Sequence, residues 1–470
     1  MRKRVLLLAA TLSAGLLTAL PVTPAGAAPS RLAGDFNGDG YLDLALSASG
    51  HQVGSAEQAG AVVVLYGSSS GVSAGRRSVI TQNSPGVPGT AEQGDLFGQS
   101  LAAGDLDGDG YSDLVVGAPS ESIGDRDAVG SATVLWGGKS GLSGGALLPQ
   151  PSTLPEWGDF ASAVAVADFD GDGKPDVTLT GRTQTRLYRG PVTRSGTPAS
   201  NLGVGELGST REVFAGDLNG DRAAERVYPF LVDGDEGGDV RYFTWTGAKY
   251  AMKSLPKADG LPGSIADVNG DGYGDLVLGD PTDPGADKKS GHKGGQISVW
   301  YGGPNGPDPD QTPTVIHQDT PGAPGAAEAG DMFGSSIGTG DIDGDGYADV
   351  AVGTPGEDVG HATEAGAVTI LFGSGSGLTT KGARTYTEDT AGVPGAAEDW
   401  DQFGQSVRLT DINDNHKADL VTGAGGENGY GAVTVLRGTA SGLTADYARY
   451  IGARDVSVKG SGEFAWAIAQ

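Results

Sequence analysis

A nine-residue loop of the pattern D-x-[DN]-x-[DN]-x-x-x-[DE] occurs seven times in this chain, and it constrains the fold more than any other feature. The copies start at Asp35, Asp105, Asp168, Asp217, Asp267, Asp341 and Asp411, at intervals of 70, 63, 49, 50, 74 and 70 residues. Self-similarity at such spacing marks an array of units, each too small to bury its apolar face alone. Every interval has room for about four short strands and their turns, which is one blade of a β-propeller.

The fullest copy shows the order within a unit. Phe97-Gly98-Gln99-Ser100-Leu101-Ala102 reads as a strand, and the loop from Asp105 to Asp113 follows it. Leu114-Val115-Val116 is a second strand ending at Gly117-Ala118-Pro119, and Ala132-Thr133-Val134-Leu135-Trp136 is a third. The order recurs at Phe333-Gly334 with Gly353-Thr354-Pro355, and at Phe403-Gly404 with Gly423-Ala424-Gly425. Third strands are expected at 62–66, 297–301, 368–372 and 433–436, and weaker fourth strands at 78–81, 314–317 and 384–387. β-branched alternation and Gly/Pro punctuation favour strands over helices. The 83 glycines fit many tight turns between short strands.

These residues resemble the FG-GAP repeat family, which includes the propeller head of integrin α subunits. The resemblance extends over nearly all of the chain after the leader, with F-G, the Asp loop and G-A-P in the same order. It implies a β-propeller with calcium in the hairpin joining the first two strands of a blade. The seven loops then predict an all-β, seven-bladed propeller of four-stranded blades. The first loop lacks a Phe-Gly strand before it, having only Arg31-Leu32-Ala33. Phe464-Ala465-Trp466-Ala467-Ile468-Ala469 reads as that missing strand, so the C-terminus is expected to complete blade one. Closure of this kind leaves no long open sheet edge.

The loop chemistry points to calcium independently. Side chains at positions 1, 3, 5 and 9 and the backbone carbonyl of position 7 converge in a tight turn, offering the hard oxygen ligands calcium takes in flexible number. The candidate ligands are Asp35, Asn37, Asp39, Tyr41 and Asp43 in the first loop, and Asp105, Asp107, Asp109, Tyr111 and Asp113 in the second. The third has Asp168, Asp170, Asp172, Lys174 and Asp176, and the fourth Asp217, Asn219, Asp221, Ala223 and Glu225. The fifth has Asp267, Asn269, Asp271, Tyr273 and Asp275, the sixth Asp341, Asp343, Asp345, Tyr347 and Asp349, and the seventh Asp411, Asn413, Asn415, Lys417 and Asp419. Tyr, Lys and Ala at position 7 enter only through their carbonyls. An EF-hand needs an acid at position 12, where the second loop has Val116. Carboxylates packed this closely repel one another without a cation. Calcium is expected in five loops and in up to seven. Arg222 in the fourth and His416 in the seventh replace the usual glycine, and the seventh has neutral Asn413 and Asn415.

Composition narrows the remainder. Arg2, Lys3 and Arg4, an apolar stretch over 5–20 and Ala25-Gly26-Ala27 form the pattern of a signal peptide, expected to be cleaved after Ala27. That stretch is shorter than the roughly 20 residues a spanning helix needs. Residues 28–470 are then one propeller domain, secreted, without a membrane span and monomeric. With no cysteine, thiolate metal sites and cysteine nucleophiles are excluded. A net charge of −28 argues against nucleic acid as a partner.

No catalytic set is evident. His51, His292, His317, His361 and His416 are scattered, and no G-x-S-x-G, H-E-x-x-H or P-loop motif occurs. Three connections, 82–95, 318–331 and 388–401, are near copies and read as repeat-specific turns. Blades three and four depart most from the repeat, with Trp157, Arg182, Arg186, Tyr188, Arg189, Tyr242, Phe243 and Trp245 open to packing between blades or to recognition. Lys288, Lys289, His292 and Lys293 form a basic spot. The expected function is a calcium-stabilised binding or adhesion module for an extracellular protein or glycan. The alternative is an extracellular carbohydrate-active or other hydrolytic enzyme with its site in the channel.

Overall fold

A computed structural model describes residues 32–204, 210, 212–230, 240–284, 291–460 and 464–469. The leader, Lys288 and Lys289 lie outside these residues. The described strands form seven four-stranded antiparallel sheets, the seven blades of a propeller. Two 3₁₀ turns, Glu427–Gly429 and Ala453–Val456, are the only helical elements among the described residues. None of these residues forms a helix long and apolar enough to cross a membrane.

Blade two shows the plan. Its strands Ser100–Gly104, Asp113–Ala118, Ser131–Trp136 and Ser143–Leu147 pair in sequence order. The first begins at Ser100, three residues beyond the expected Phe97. Phe97 is instead a wedge: its ring is fully buried and its N–H donates to Ala59 O of the preceding blade at 3.1 Å. Gly60 makes that approach possible, because a Cβ there would lie 2.2 Å from Phe97 O. Gly295 with Phe333 and Gly366 with Phe403 repeat the bridge.

The first strands stand innermost. Ser100–Gly104, Ala163–Ala167, Phe214–Gly216, Gly263–Ala266, Ser336–Gly340, Phe403–Thr410 and Phe464–Ile468 contact one another in turn around a closed ring. Residues in and beside these strands line a central cavity of about 1300 Å³. The C-terminal strand Phe464–Ile468 pairs antiparallel with Leu44–Ala48, with Leu46 opposite Ile468 and Ala48 opposite Phe464. The chain's last strand therefore completes its first blade, as the Phe/Trp/Ile pattern predicts.

The core is divided among the seven blade interfaces, each with its own apolar cluster. Strand alternation explains this division. Leu44, Leu46 and Ala48 face blade seven, while Ala45 faces blade two. Each fully buried Leu, Val or Phe contributes about 1.5–3 kcal/mol, so the blades are joined chiefly by these seams. In blades three and four, Tyr188 and Tyr242 are buried, and Trp245 packs on Tyr250 at 4.8 Å between ring centroids. Most of the aromatic residues singled out there serve packing, whereas Trp157 is 58% exposed.

Candidate metal sites

Each Asp loop is built by its own position-1 carboxylate. In the sixth loop, Gly344 N–H donates to Asp341 Oδ1 at 2.6 Å and Gly346 N–H to Oδ2 at 3.0 Å. The second loop repeats this with Gly108 and Gly110 on Asp105, and the fifth with Gly270 and Gly272 on Asp267. Bending the backbone around one carboxylate needs positive φ at positions 4 and 6. Glycine takes these angles without strain, as at Gly344 (φ 80°) and Gly346 (φ 92°). The fourth and seventh loops reach the same shape with side chains present: Arg222 has φ 74°, Asp414 φ 56° and His416 φ 62°.

The loops also hold one another. Position 8 donates its N–H to the position-1 carbonyl of the blade before, as in Ser112 to Asp35 O (3.1 Å), Ala224 to Asp168 O (2.8 Å), Gly274 to Asp217 O (2.9 Å), Ala348 to Asp267 O (3.0 Å) and Ala418 to Asp341 O (2.7 Å). Pro175 occupies position 8 of the third loop and has no N–H to give Asp105. The loops thus form a belt at one end of the propeller.

Position 9 is the residue whose role the sequence conceals. Asp43, Asp113, Asp176, Glu225, Asp275, Asp349 and Asp419 are all at most 6% exposed. Asp349 Oδ2 accepts from Ile342 N–H at 2.9 Å, and its Oδ1 accepts from Gly373 N–H at 3.0 Å. Asp43 and Asp113 bind Gly67 and Gly137 in the same way, both at 2.8 Å. These carboxylates tie the hairpin to the end of the third strand. Burial, and to a lesser extent neighbouring loop carboxylates, pushes Asp43, Asp113 and Asp349 up to about 7, well above the usual aspartate range. Asp176, Asp275 and Asp419 rise to about 6 for the same leading cause.

Among the described residues, ligand oxygens from positions 1, 3 and 9 come within 4.8 Å of one another in the second, third and sixth loops: Asp105, Asp107 and Asp113; Asp168, Asp170 and Asp176; Asp341, Asp343 and Asp349. These groups can hold a metal ion, and their oxygen-only donors suit a hard divalent cation. The first and fifth loops share the turn but have Asn37 and Asn269 at position 3. In the fourth and seventh loops, the position-3 amide instead donates to the position-9 carboxylate. Asn219 Nδ2 reaches Glu225 Oε1, and Asn413 Nδ2 reaches Asp419 Oδ2, both at 2.6 Å. In the seventh loop the residues that gather are Asp411, Asp414 and His416, not the expected set.

Arginines approach several loops. Arg194 places Nε 2.7 Å from Asp107 Oδ2 and Nη2 2.6 Å from Asp109 Oδ2. Arg189 pairs with Asp170, and Arg76 with Asp39 at 3.2 Å. Sequence spacing gives no sign of these pairs. It also does not foretell that His292 stacks on His317 at 3.6 Å, with Asp319 Oδ2 3.6 Å from His292 Nε2.

Residues 32–65, 97–135, 333–371 and 403–436 match the FG-GAP repeat, and residues 168–228 match the FG-GAP-like repeat. Phosphatidylinositol-glycan-specific phospholipase D of Bos taurus is 29% identical over 218 residues, covering 44% of this chain and 21% of that protein. Integrin alpha-IIb of Homo sapiens is 33% identical over 169 residues, 35% of this chain and 14% of the integrin. Integrin alpha-3 of Cricetulus griseus is 30% identical over 202 residues, 42% and 16% respectively. The chain therefore spans about a fifth or less of the length of these relatives. A solved Agrocybe aegerita lectin that recognises non-reducing terminal N-acetylglucosamine shares 15% identity at a TM-score of 0.38, over 75% of this chain and 83% of that one. That likeness is too remote to carry a function across.

Proposed function

We propose that this chain, an FG-GAP-repeat β-propeller, is a secreted binding module in which calcium is structural. In this proposal residues 1–27 are a cleaved signal peptide and residues 28–470 form a propeller domain. The observation that carries the calcium reading is the gathering of three carboxylates in each of the second, third and sixth loops. Without a metal ion, these groups combine burial with mutual repulsion, partly offset by Arg194 in the second loop and Arg189 in the third and least relieved in the sixth. The ligands are the side chains at positions 1, 3, 5 and 9 and the position-7 carbonyl. Bound calcium supplies charge neutralisation, while the chain supplies the turn, through Asp341 and its counterparts, and the anchor, through Asp349 and its counterparts. Five loops are calcium sites. The fourth and seventh, where an asparagine amide already bonds the position-9 carboxylate, are the weakest.

The partner is an extracellular protein or glycan, met as a monomer through the face opposite the belt. Similarity to integrin α segments supports a binding role. An array of glycans and extracellular proteins, probed with calcium and with EGTA, tests this. A ligand retained reproducibly in calcium and lost in EGTA is expected. Turnover of a polysaccharide or ester by the purified chain, abolished by a substitution in the central cavity, would instead establish the enzyme reading.

A further inference from the structure

Three blade-to-blade connections close on buried carboxylates that the hairpin loops do not explain. Between blades one and two, Gln82 Nε2 donates to Glu121 Oε2 at 2.6 Å, and Glu92 N–H donates to Asp95 Oδ2 at 2.6 Å. Between blades five and six, Gln318 donates to Glu357 at 2.6 Å and Glu328 N–H to Asp331 at 2.7 Å. Between blades six and seven the backbone contact is kept, with Glu398 N–H 2.7 Å from Asp401 Oδ2. The residue equivalent to Gln82 and Gln318, however, is Glu388, and its opposite number is Glu427. A carboxylate has no N–H to donate.

The third cluster is therefore short of donors. Glu388 is 3% exposed, Asp401 2% and Glu427 6%. Asp401 is close enough to both glutamates for its charge to disfavour theirs. Glu427 Oε1 accepts from Asn428 Nδ2 at 2.6 Å and Tyr450 Oη at 3.0 Å. Glu427 Oε2 and both oxygens of Glu388 are buried without a donor among the described residues. In the sister clusters only Gln82 Oε1 and Gln318 Oε1, one atom each, are in that position. Burial, then the charges of Glu427 and Asp401, pushes the Glu388 carboxyl well above the usual carboxylate range, and three buried carboxylates with open acceptors among them are costly to keep bare. One proton supplies one donor, whereas three acceptors are open.

We propose that Glu388, Asp401 and Glu427 hold a hard divalent cation, of the calcium type, in the connection between blades six and seven. This site is independent of the hairpin loops. Glu427 follows the strand Asp419–Ala424, whereas the seventh loop precedes it, so the two lie at opposite ends of that strand. A cation joins the connection after blade six to the turn within blade seven, where blades two and six use an amide–carboxylate bond.

Glu388→Gln restores the residue found in both sister clusters and is expected to fold. Bound calcium is counted by elemental analysis after dialysis against buffered Ca²⁺, for the full chain, E388Q and a loop control, D343A. E388Q is expected to hold one ion fewer per chain, with melting in EGTA unchanged or raised. Crystals grown in Mn²⁺ are expected to show an anomalous peak between Glu388 and Glu427 that E388Q lacks. Equal counts in wild type and E388Q, with no such peak, overturn the proposal and assign the gap to a proton. If E388Q fails to fold, E427Q is counted in its place with the same two outcomes. Loss of an ion in D343A with none lost in E388Q sinks this site alone. An ion that depends on Glu388 while the loops are empty sinks the loop reading alone.

Discussion

Asp349 and Asp343 lie in the same loop and have different work to do. Asp349 is 1% exposed and accepts two backbone N–H groups, so truncating it leaves Ile342 and Gly373 without acceptors. A buried donor left unpaired costs about 1–3 kcal/mol. Asp349→Ala is therefore expected to cost about 2–5 kcal/mol by chemical denaturation, in EGTA as in calcium. If Asp343 is a calcium ligand as proposed, Asp343→Ala is expected to destabilise in calcium and far less in EGTA, where it loses only an exposed hydrogen bond from Asp345 N–H (3.1 Å). The position-9 group also sets a pH dependence. Its pKa is higher folded than unfolded, so the native state binds protons first and stability falls as pH climbs from the ordinary value, 3.8, towards about 7. Cation-free protein should melt lower at about pH 8 than at about pH 5.5. Calcium should narrow that gap, since it binds the ionised form. A melting temperature in EGTA that rises over this range would contradict the assignment. From the sequence, Asp349 reads only as one more acid at the end of a loop. Its second partner lies 24 residues away, and the equivalent separations are 14, 27 and 19 in the third, fifth and seventh loops. No fixed spacing reveals the contact.

At the scale of the strand, the repeat is legible where two signals coincide. The third strands at 62–66, 297–301 and 368–372 fall within a residue of Ala61–Leu65, Gln296–Trp300 and Ala367–Phe372, because β-branched runs end at glycine. Phe97-Gly98 reads as strand from its apolar character, yet Gly98 at φ 94° breaks the extended backbone and turns Phe97 between the blades. The C-terminal strand follows from what the first loop lacks. Phe464 is 1% exposed in the seam between blades seven and one. Phe464→Ala should cost about 3–5 kcal/mol. Deleting residues 464–470 should open the ring along Leu44–Ala48 and give an aggregating chain by size-exclusion chromatography. A monomeric deletion variant with unchanged melting would show that closure lies elsewhere.

For the whole molecule, seven Asp loops give seven blades because each unit carries one hairpin and buries its faces only against neighbours. The belt and the seams make the ring cooperative: Ser112 reaches back to Asp35, and Ala418 to Asp341, across blade boundaries. Long-range pairings were not legible, since Gln82 with Glu121 and His292 with His317 depend on how connections fold over a face. Calcium bound only by the folded ring stabilises it by mass action. The most direct test pairs a calcium count by elemental analysis with thermal unfolding of the same sample before and after EGTA. About five or more calcium ions per chain are expected, with a melting temperature that falls by several degrees or more in EGTA and recovers on re-addition. No bound calcium and an unchanged melting temperature would contradict the claim that the loops are calcium sites.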